Sequence, residues 1–344
     1  MADVVALGDV NVDIIAHFAE FPAKGDDALA SLTEIHCGGS AANTAMALAR
    51  MGTRTSLISR VGPDSWALKV YSCLEDAGVA PVGLQRDATA MTGLMYVVVT
   101  PDGERTIFGH RGANVFTDPN QIDEKELVGA RIFHLSGYAL LSEPQRSAAL
   151  RALEAACRYR LTVTLDPGMA VPRKALDEMR ALLPTVNILM PSLGEAQHLT
   201  GQTEPESCAR VLLEAGVEVV ALKLGGDGCL VATDGGMLHV PGFAVQARDS
   251  TGAGDNFDAG LIAGVLGGLS WHSAAVLANA MGAMAAARIG AGTAGPKARE
   301  VMALLRGDHP GMDQANLVEA IGQAFEFVAD LSTEPQEEER PWWK

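Results

Sequence analysis

Asp249-Ser250-Thr251-Gly252-Ala253-Gly254-Asp255-Asn256-Phe257 runs directly into the small-residue helical pattern Ala259 to Leu266. A Gly-Ala-Gly turn that opens a helix leaves several backbone N–H groups without intrahelical partners, and its lack of large side chains lets a ligand approach them. Such a turn holds anions. Asp255 falls in the first helical turn, so one carboxylate lies within reach of whatever the amides bind. Taken alone, the same letters also describe a glycine-rich turn with an aspartate at a helix start, a common structural arrangement.

Two further segments narrow the choice. Cys37-Gly38-Gly39-Ser40-Ala41-Ala42-Asn43-Thr44-Ala45 sets two glycines before a helical pattern and Asn43 within its first turns. Exposed amides and one side-chain amide suit the hydroxyls of a polar ligand. Gly8-Asp9-Val10-Asn11-Val12-Asp13 follows the first strand-like run, and period-two spacing directs Asn11 and Asp13 to one side. Asn and Asp after a strand are also ordinary turn formers.

Outward from these segments, strand-like and helical runs alternate. Val4 to Gly8, Thr55 to Val61, Arg131 to Leu135, Leu161 to Asp166, Asn187 to Met190 and Val217 to Leu222 read as strands. Ser40 to Met51, Ser65 to Ala77, Pro144 to Arg158, Arg173 to Leu183 and Glu206 to Glu214 read as helices. This alternation predicts an α/β fold with a doubly wound, mainly parallel sheet and helices on both faces. Two insertions break it, at about 10–37 and 88–114, with Pro101-Asp102-Gly103 as a turn between extended runs. They are expected to meet as a small sheet beside the main body, or else to be surface loops. The main domain is expected over 1–306, a helix over 307–329 and a mobile acidic tail over 330–344, where Trp342 and Trp343 have no assigned role.

Composition excludes other classes. The 344 residues carry 26 Lys plus Arg against 42 Asp plus Glu, a net charge of −16, which disfavours nucleic acid and anionic membranes as partners. Apolar residues at 48% and aromatic residues at only 5% fit a globular, helix-rich chain rather than a base-stacking one. Five scattered cysteines predict reduced thiols, and the non-basic Met1-Ala2-Asp3 start predicts a cytoplasmic protein. P-loop, zincin, nucleophile-elbow and protein-kinase signatures are missing, and the eight histidines have no metal-ligand spacing.

Together, the Gly-Gly-Ser-Ala-Ala-Asn segment and Asp249 to Phe257 resemble the N- and C-terminal signatures of the ribokinase-like, or PfkB-type, carbohydrate kinases, in order and spacing, over roughly residues 3 to 305. The resemblance implies a small β-sheet lid and ATP-dependent phosphorylation of a sugar hydroxyl. It implies Asp255 as catalytic base and Gly252, Ala253 and Gly254 as the anion hole. Asn11, Asp13, Gly38, Gly39 and Asn43 become the sugar-side residues. Lys223, Gly225 and Gly228, in the run Lys223 to Gly228, and Asn279 become the ATP side. Glu195 is implied to organise Mg2+ through water, and Asp249, with carbonyls around Ala291 and Gly292, a K+ ion as in some members. A homodimer through the lid is implied as well.

Two departures stand out. The family's Asn-x-x-Glu is here Ser192-Leu193-Gly194-Glu195, and Lys223 replaces a common Thr or Ser, either to meet a phosphate or as a solvated strand-end lysine. Arg111, helped by Lys24 or Arg105, is expected to hold an anionic group if the sugar carries one. The rival readings are a nucleoside or heterocycle kinase, served by Phe18, Phe21 or Phe108, and a catalytically silent sugar-binding protein.

Overall fold

Strand β1 (Val4–Leu7) lies at the middle of the main sheet, and the alternation of its side chains sets the layers. Val5 and Leu7 face one apolar core and Val4 and Ala6 the other side, each wholly buried. A strand apolar on both faces belongs inside a parallel sheet covered by helices. The computed structural model describes residues 1–101, 105–290, 292, 295–312 and 314–333.

After β1 the chain forms β2 (Asn11–His17), β3 (Leu32–Gly38), α1 (Ser40–Arg50), β4 (Thr55–Val61), α2 (Ser65–Ala77), β5 (Val79–Ala80) and β6 (Leu84–Arg86). There follow β7 (Gly93–Val99), β8 (Arg105–His110), β9 (Ile132–Ser136), α3 (Gln145–Arg158), β10 (Thr162–Asp166), α4 (Ala170–Lys174), α5 (Leu176–Leu182), β11 (Ile188–Leu189), α6 (Leu193–Thr200) and α7 (Pro205–Glu214). The last third comprises β12 (Val219–Lys223), β13 (Cys229–Thr233), β14 (Gly236–Val240), α8 (Ala253–Leu266), α9 (Trp271–Ala286), α10 (Ala298–Leu305) and α11 (Ala315–Thr333).

The main sheet runs β14-β13-β12-β11-β10-β9-β1-β4-β5, with β6 also on β4. It is parallel except for β12-β13 and β13-β14. The expected doubly wound architecture is therefore present. The antiparallel β13-β14 hairpin, which the alternation did not reveal, closes one edge. The expected helix Arg173 to Leu183 is instead divided at Ala175 into α4 and α5.

Helices α8 and α9 explain the Ala- and Gly-rich composition. A β-carbon on Gly260 would lie 2.7 Å from the Ala278 Cα, and one on Gly264 would lie 2.8 Å from the Ala274 Cβ. Only glycine permits that approach, and it fixes α8 against α9. Ends are marked by local chemistry: Asp64 caps α2 by accepting from the Ala67 amide at 3.1 Å, and Gly78 ends it in a left-handed conformation at φ 80°.

A second sheet, β3-β2-β7-β8, draws its strands from the two insertions. Strands β2 and β7 are parallel, and β3 and β8 flank them antiparallel. The turn residues Asp102 and Gly103 lie outside the described residues. At the other end α11 continues to Thr333, and Trp342 and Trp343 likewise lie outside.

One expectation is corrected. Cys37, at the end of β3, and Cys73, on α2, are paired as a disulfide across a Cα–Cα distance of 6.4 Å, while Cys157, Cys208 and Cys229 are free thiols. Folding brings together two residues 36 positions apart, a proximity that their spacing alone does not encode.

Candidate active site

In a doubly wound sheet, ligands bind beyond the strand C-termini where the strand order reverses. Here that point lies between β1 and β9, and the segments that leave it carry the polar residues. Strand β1 leads through Gly8 and Asp9 into β2, which presents Asn11 and Asp13. Helix α1 presents Asn43, and the start of α8 presents Asp255.

These side chains converge. Asn43 Nδ2 donates to Asp255 Oδ2 at 2.7 Å, and Thr44 Oγ1 donates to the Asp255 carbonyl at 3.3 Å, which fixes the start of α8 against α1. Gly252 adopts φ 73° as the N-cap, and the amides of Gly252, Gly254 and Asp255 have no acceptor among the described residues. Gly254 stays open except for Lys223, whose Nζ lies 3.5 Å from the position a β-carbon would take. Asp13 and Asn43 are buried, and among the described residues neither Asp13 Oδ1 nor Asn43 Oδ1 has a partner. Burial, helped by the Asp166 charge, lifts the Asp255 carboxyl to about 6 against the hydrogen bond from Asn43. Burial and then Asp255 lift Asp13 to about 7.

Gly38 and Gly39 act through packing. A β-carbon on Gly38 would collide with the Asp13 carboxylate, and Gly39 at φ 98° lies against the Asp9 carbonyl. Asn11 spends its carbonyl oxygen on Asn114 Nδ2 at 3.0 Å.

Beneath the Gly-Ala-Gly turn lies a buried charge cluster. Lys223 Nζ lies 3.1 Å from Asp258 Oδ1 and 3.5 Å from Asp166 Oδ2. The solvated alternative for this lysine is thereby corrected. Burial opposes its charge, but Asp166, Asp258 and Glu195 outweigh that and hold its proton above the ordinary lysine range. Burial drives Asp258 well above the carboxylate range, whereas Lys223 holds Asp166 below it despite burial. Ser192 explains its replacement of asparagine: it caps α6 reciprocally, its amide donating to Glu195 Oε2 at 2.7 Å and its hydroxyl accepting from the Glu195 amide at 3.4 Å. Burial and the neighbouring Asp166 raise Glu195. Among the described residues no three His, Cys, Asp or Glu side chains are grouped to hold a metal directly.

Along the edge of the main sheet, Gly225 at φ 63° and Gly226 have nothing within 4 Å of a built β-carbon, so that backbone is approachable. Gly228 instead packs against the Val240 carbonyl. Asn279 donates to the carbonyls of Val240 at 3.0 Å and Pro241 at 3.1 Å, joining α9 to the end of β14.

The family pattern described as "pfkB family carbohydrate kinase" matches residues 1–298. This chain belongs to the pfkB family of carbohydrate kinases. It is 33% identical over 305 residues to "ATP-dependent ribose-1-phosphate kinase" of Halopiger xanaduensis, covering 89% of this chain and 98% of that protein. It is 29% identical over 286 residues to "Probable fructokinase-4" of Arabidopsis thaliana, covering 79% and 88%. The structure of a putative ribokinase II from E. coli in complex with ATP and Mg2+ superposes with a TM-score of 0.81 at 26% identity, over 89% of this chain and 99% of that one.

In this pfkB kinase the arginines offered to an anionic substrate are already engaged. Arg111 Nε and Nη2 grip Asp9 at 2.7 and 2.9 Å, and Nη2 also reaches the Tyr138 carbonyl and Gln145 Oε1. Arg105 pairs with Asp249 and donates to Ser250 Oγ at 2.7 Å. Lys24 is exposed on the β2–β3 loop. Asp249 also accepts from the Thr251 amide and hydroxyl and from the Gly290 amide. Of the carbonyls paired with it by resemblance, Gly292 accepts from Arg50, and Ala291 lies outside the described residues. Asp166 and Asp258 escaped the sequence reading. Asp258 had a visible signal, since it follows Asp255 by three residues on one helix face.

Proposed function

We propose that this carbohydrate kinase transfers the γ-phosphoryl group of Mg-ATP to a hydroxyl of a small neutral sugar, with Asp255 as general base. The observation that carries this reading is the pair of buried acceptors, Asp13 Oδ1 and Asn43 Oδ1, that have no partner among the described residues and lie beside the Asp255 carboxylate. Buried acceptors call for donors, and sugar hydroxyls supply them. Asp255, at about 6, is mostly ionised near neutral pH yet basic enough to take the hydroxyl proton. The unpaired amides at Gly252, Gly254 and Asp255 suit negative charge growing on the transferred group, and the α8 dipole reinforces them.

ATP suits the open Gly225-Gly226 backbone and the neighbouring Asn279 region. Magnesium, when bound, would neutralise phosphate charge, and Glu195 suits holding it through water because no direct ligand cage is formed among the described residues. Lys223 adds a fixed positive charge next to Gly254. The second sheet, carrying Asp13, would cover the sugar and keep out competing water.

A neutral sugar is favoured because Arg111 and Arg105 are matched to Asp9 and Asp249. A nucleoside gains little support from Phe108 and Phe21, which are 55% and 50% exposed, Phe108 on the lid face opposite Asp13. That opposite face carries a row, Ile35, Ile14, Tyr96 and Phe108, crossing all four strands. Its exposed apolar side chains suit a second copy of this chain, giving a dimer through the lid. No described helix is long and apolar enough to cross a membrane.

Asp255→Asn tests the assignment of the base. Binding of ATP and sugar should persist while turnover falls by about 10² to 10⁴. A folded variant with near-normal turnover would remove Asp255 from that role, and with it the distinction from a silent binder.

A further inference from the structure

We infer that Arg105, reaching down from lid strand β8, supplies the positive charge at Asp249 and latches the lid to the catalytic turn, so that turnover needs no monovalent cation. This rests on the kinase reading above.

The donors that the family resemblance assigned to a potassium ion do not fit one here. Asp249 Oδ1 accepts from Thr251 N at 2.8 Å, from Thr251 Oγ1 at 2.6 Å and from Arg105 Nη1, while Oδ2 accepts from Gly290 N at 2.8 Å. The Gly292 carbonyl accepts from Arg50 Nη1 at 2.5 Å and from the Gly295 amide at 3.0 Å. Among the described residues, two guanidinium groups therefore hold the oxygens that the resemblance assigns to the cation, those of Asp249 and Gly292, and an added cation beside them would be repelled. A guanidinium also does something an alkali ion cannot, because it is covalently part of the lid.

Arg105 bridges parts of the chain separated by 144 residues, with its side chain 23% exposed and that of Asp249 9% exposed. In such a partly desolvated place the pair is stronger than at the open surface. Its carboxylate partner also clasps Thr251, the residue immediately before Gly252, so the lid contact and the Gly-Ala-Gly turn share one group. A second lid residue reaches the same hub. The His36 ring from β3 lies 3.2 Å from the place a β-carbon on Gly290 would occupy. Lid closure and ordering of the turn amides are thus coupled through Asp249, which makes Arg105 a positioning residue rather than a group that touches substrate.

The test compares the wild type, Arg105→Ala and Arg105→Lys at fixed ionic strength in tetramethylammonium, sodium and potassium chloride. Wild-type turnover should agree among the three salts within about twofold, and the melting temperature should not rise in potassium. Arg105→Ala should lose about tenfold or more in kcat, the scale of one charge-assisted contact, with a smaller change in KM for ATP. Added guanidinium should restore part of that loss, and Arg105→Lys should fall between the two. By hydrogen exchange, the Thr251 and Gly290 amides should open faster in Arg105→Ala. Activation of the wild type by potassium of about tenfold, or an Arg105→Ala enzyme with wild-type turnover and unchanged amide protection, would overturn the inference. If no sugar is phosphorylated in any salt, the kinase reading fails, while amide exchange and melting still judge the latch.

Discussion

The carboxyl edge of the main sheet and the lid boundary each hold buried or half-buried carboxylates, but they neutralise them by different means. In the main sheet, Asp166 and Asp258 meet Lys223, which ends β12, so all three groups sit on elements packed into one core. At the lid boundary, Asp9 and Asp249 belong to the main body and are met by Arg111 and Arg105, from the end and the start of the β8 region. The first arrangement lies wholly within the main body, and Arg111 is likewise held there by the Tyr138 carbonyl and Gln145, whereas Asp249 is met by Arg105 from a strand of the second sheet. We propose that this main-body floor stays fixed while the second sheet, held through Arg105, admits the substrate and then excludes water.

The floor is the costlier place to disturb. Lys223→Met leaves Asp166 and Asp258 buried without their cation, and removal of one member of such a group costs about 3 to 5 kcal/mol. Chemical denaturation should show that loss, and Lys223→Met combined with Asp258→Leu should recover part of it through the coupling between neighbours. An additive double variant would mean that the cluster is not energetically linked.

Gly254→Val attacks the same floor from above. A branched side chain there would crowd the amides and the Lys223 ammonium, and loss of oxyanion-type donors lowers kcat by about 10² to 10³. Sugar affinity should change far less. A collapse of sugar affinity with intact saturating turnover would place the turn on the sugar side and reverse the floor's orientation.

These two positions also mark how far the sequence was legible. The Gly-Ala-Gly-Asp turn and the strand–helix alternation were readable because glycine requirements and apolar periods are local properties. Asp166 and Asp258 acquire their role only when β10, β12 and α8 meet, and Arg111 looked free because its partner Asp9 stands 102 residues away. Cys37 and Cys73 were misread for the same reason. The β13-β14 hairpin was missed because a sheet that is parallel up to β12 gives no warning of an antiparallel edge. Ser192 was legible as a departure, but its capping of Glu195 became visible only with the start of α6.

Asp13 lies where the lid meets the floor, and pH probes it. Burial and the neighbouring Asp255 push its folded carboxyl up to about 7, above the ordinary aspartate range, so ionising it costs the folded state stability. That cost appears as pH rises from about 4, and is complete above about 7. Asp13→Asn should therefore melt higher than the wild type at pH 8, and the gap should close on acidification to pH 4. A gap that widens on acidification would show that Asp13 is stabilised as the anion.

The smallest expected change in chemistry comes from the outer face of the lid. If the proposed dimer forms through this face, Phe108→Glu should shift it toward monomer in light scattering while leaving turnover nearly unchanged, since Phe108 points away from Asp13. An unaltered mass for the variant would remove this face from assembly.

Phosphorylation of a neutral sugar with Asp255 as base is tested by ADP release from Mg-ATP over one panel. Ribose and fructose are set beside 2-keto-3-deoxygluconate, sugar phosphates, sulfosugars and nucleosides, each with wild-type enzyme and with Asp255→Asn. The highest kcat/KM should fall on a neutral sugar and be lost in Asp255→Asn. Preference for an acid, phosphate or nucleoside, or turnover that survives in Asp255→Asn, would contradict it.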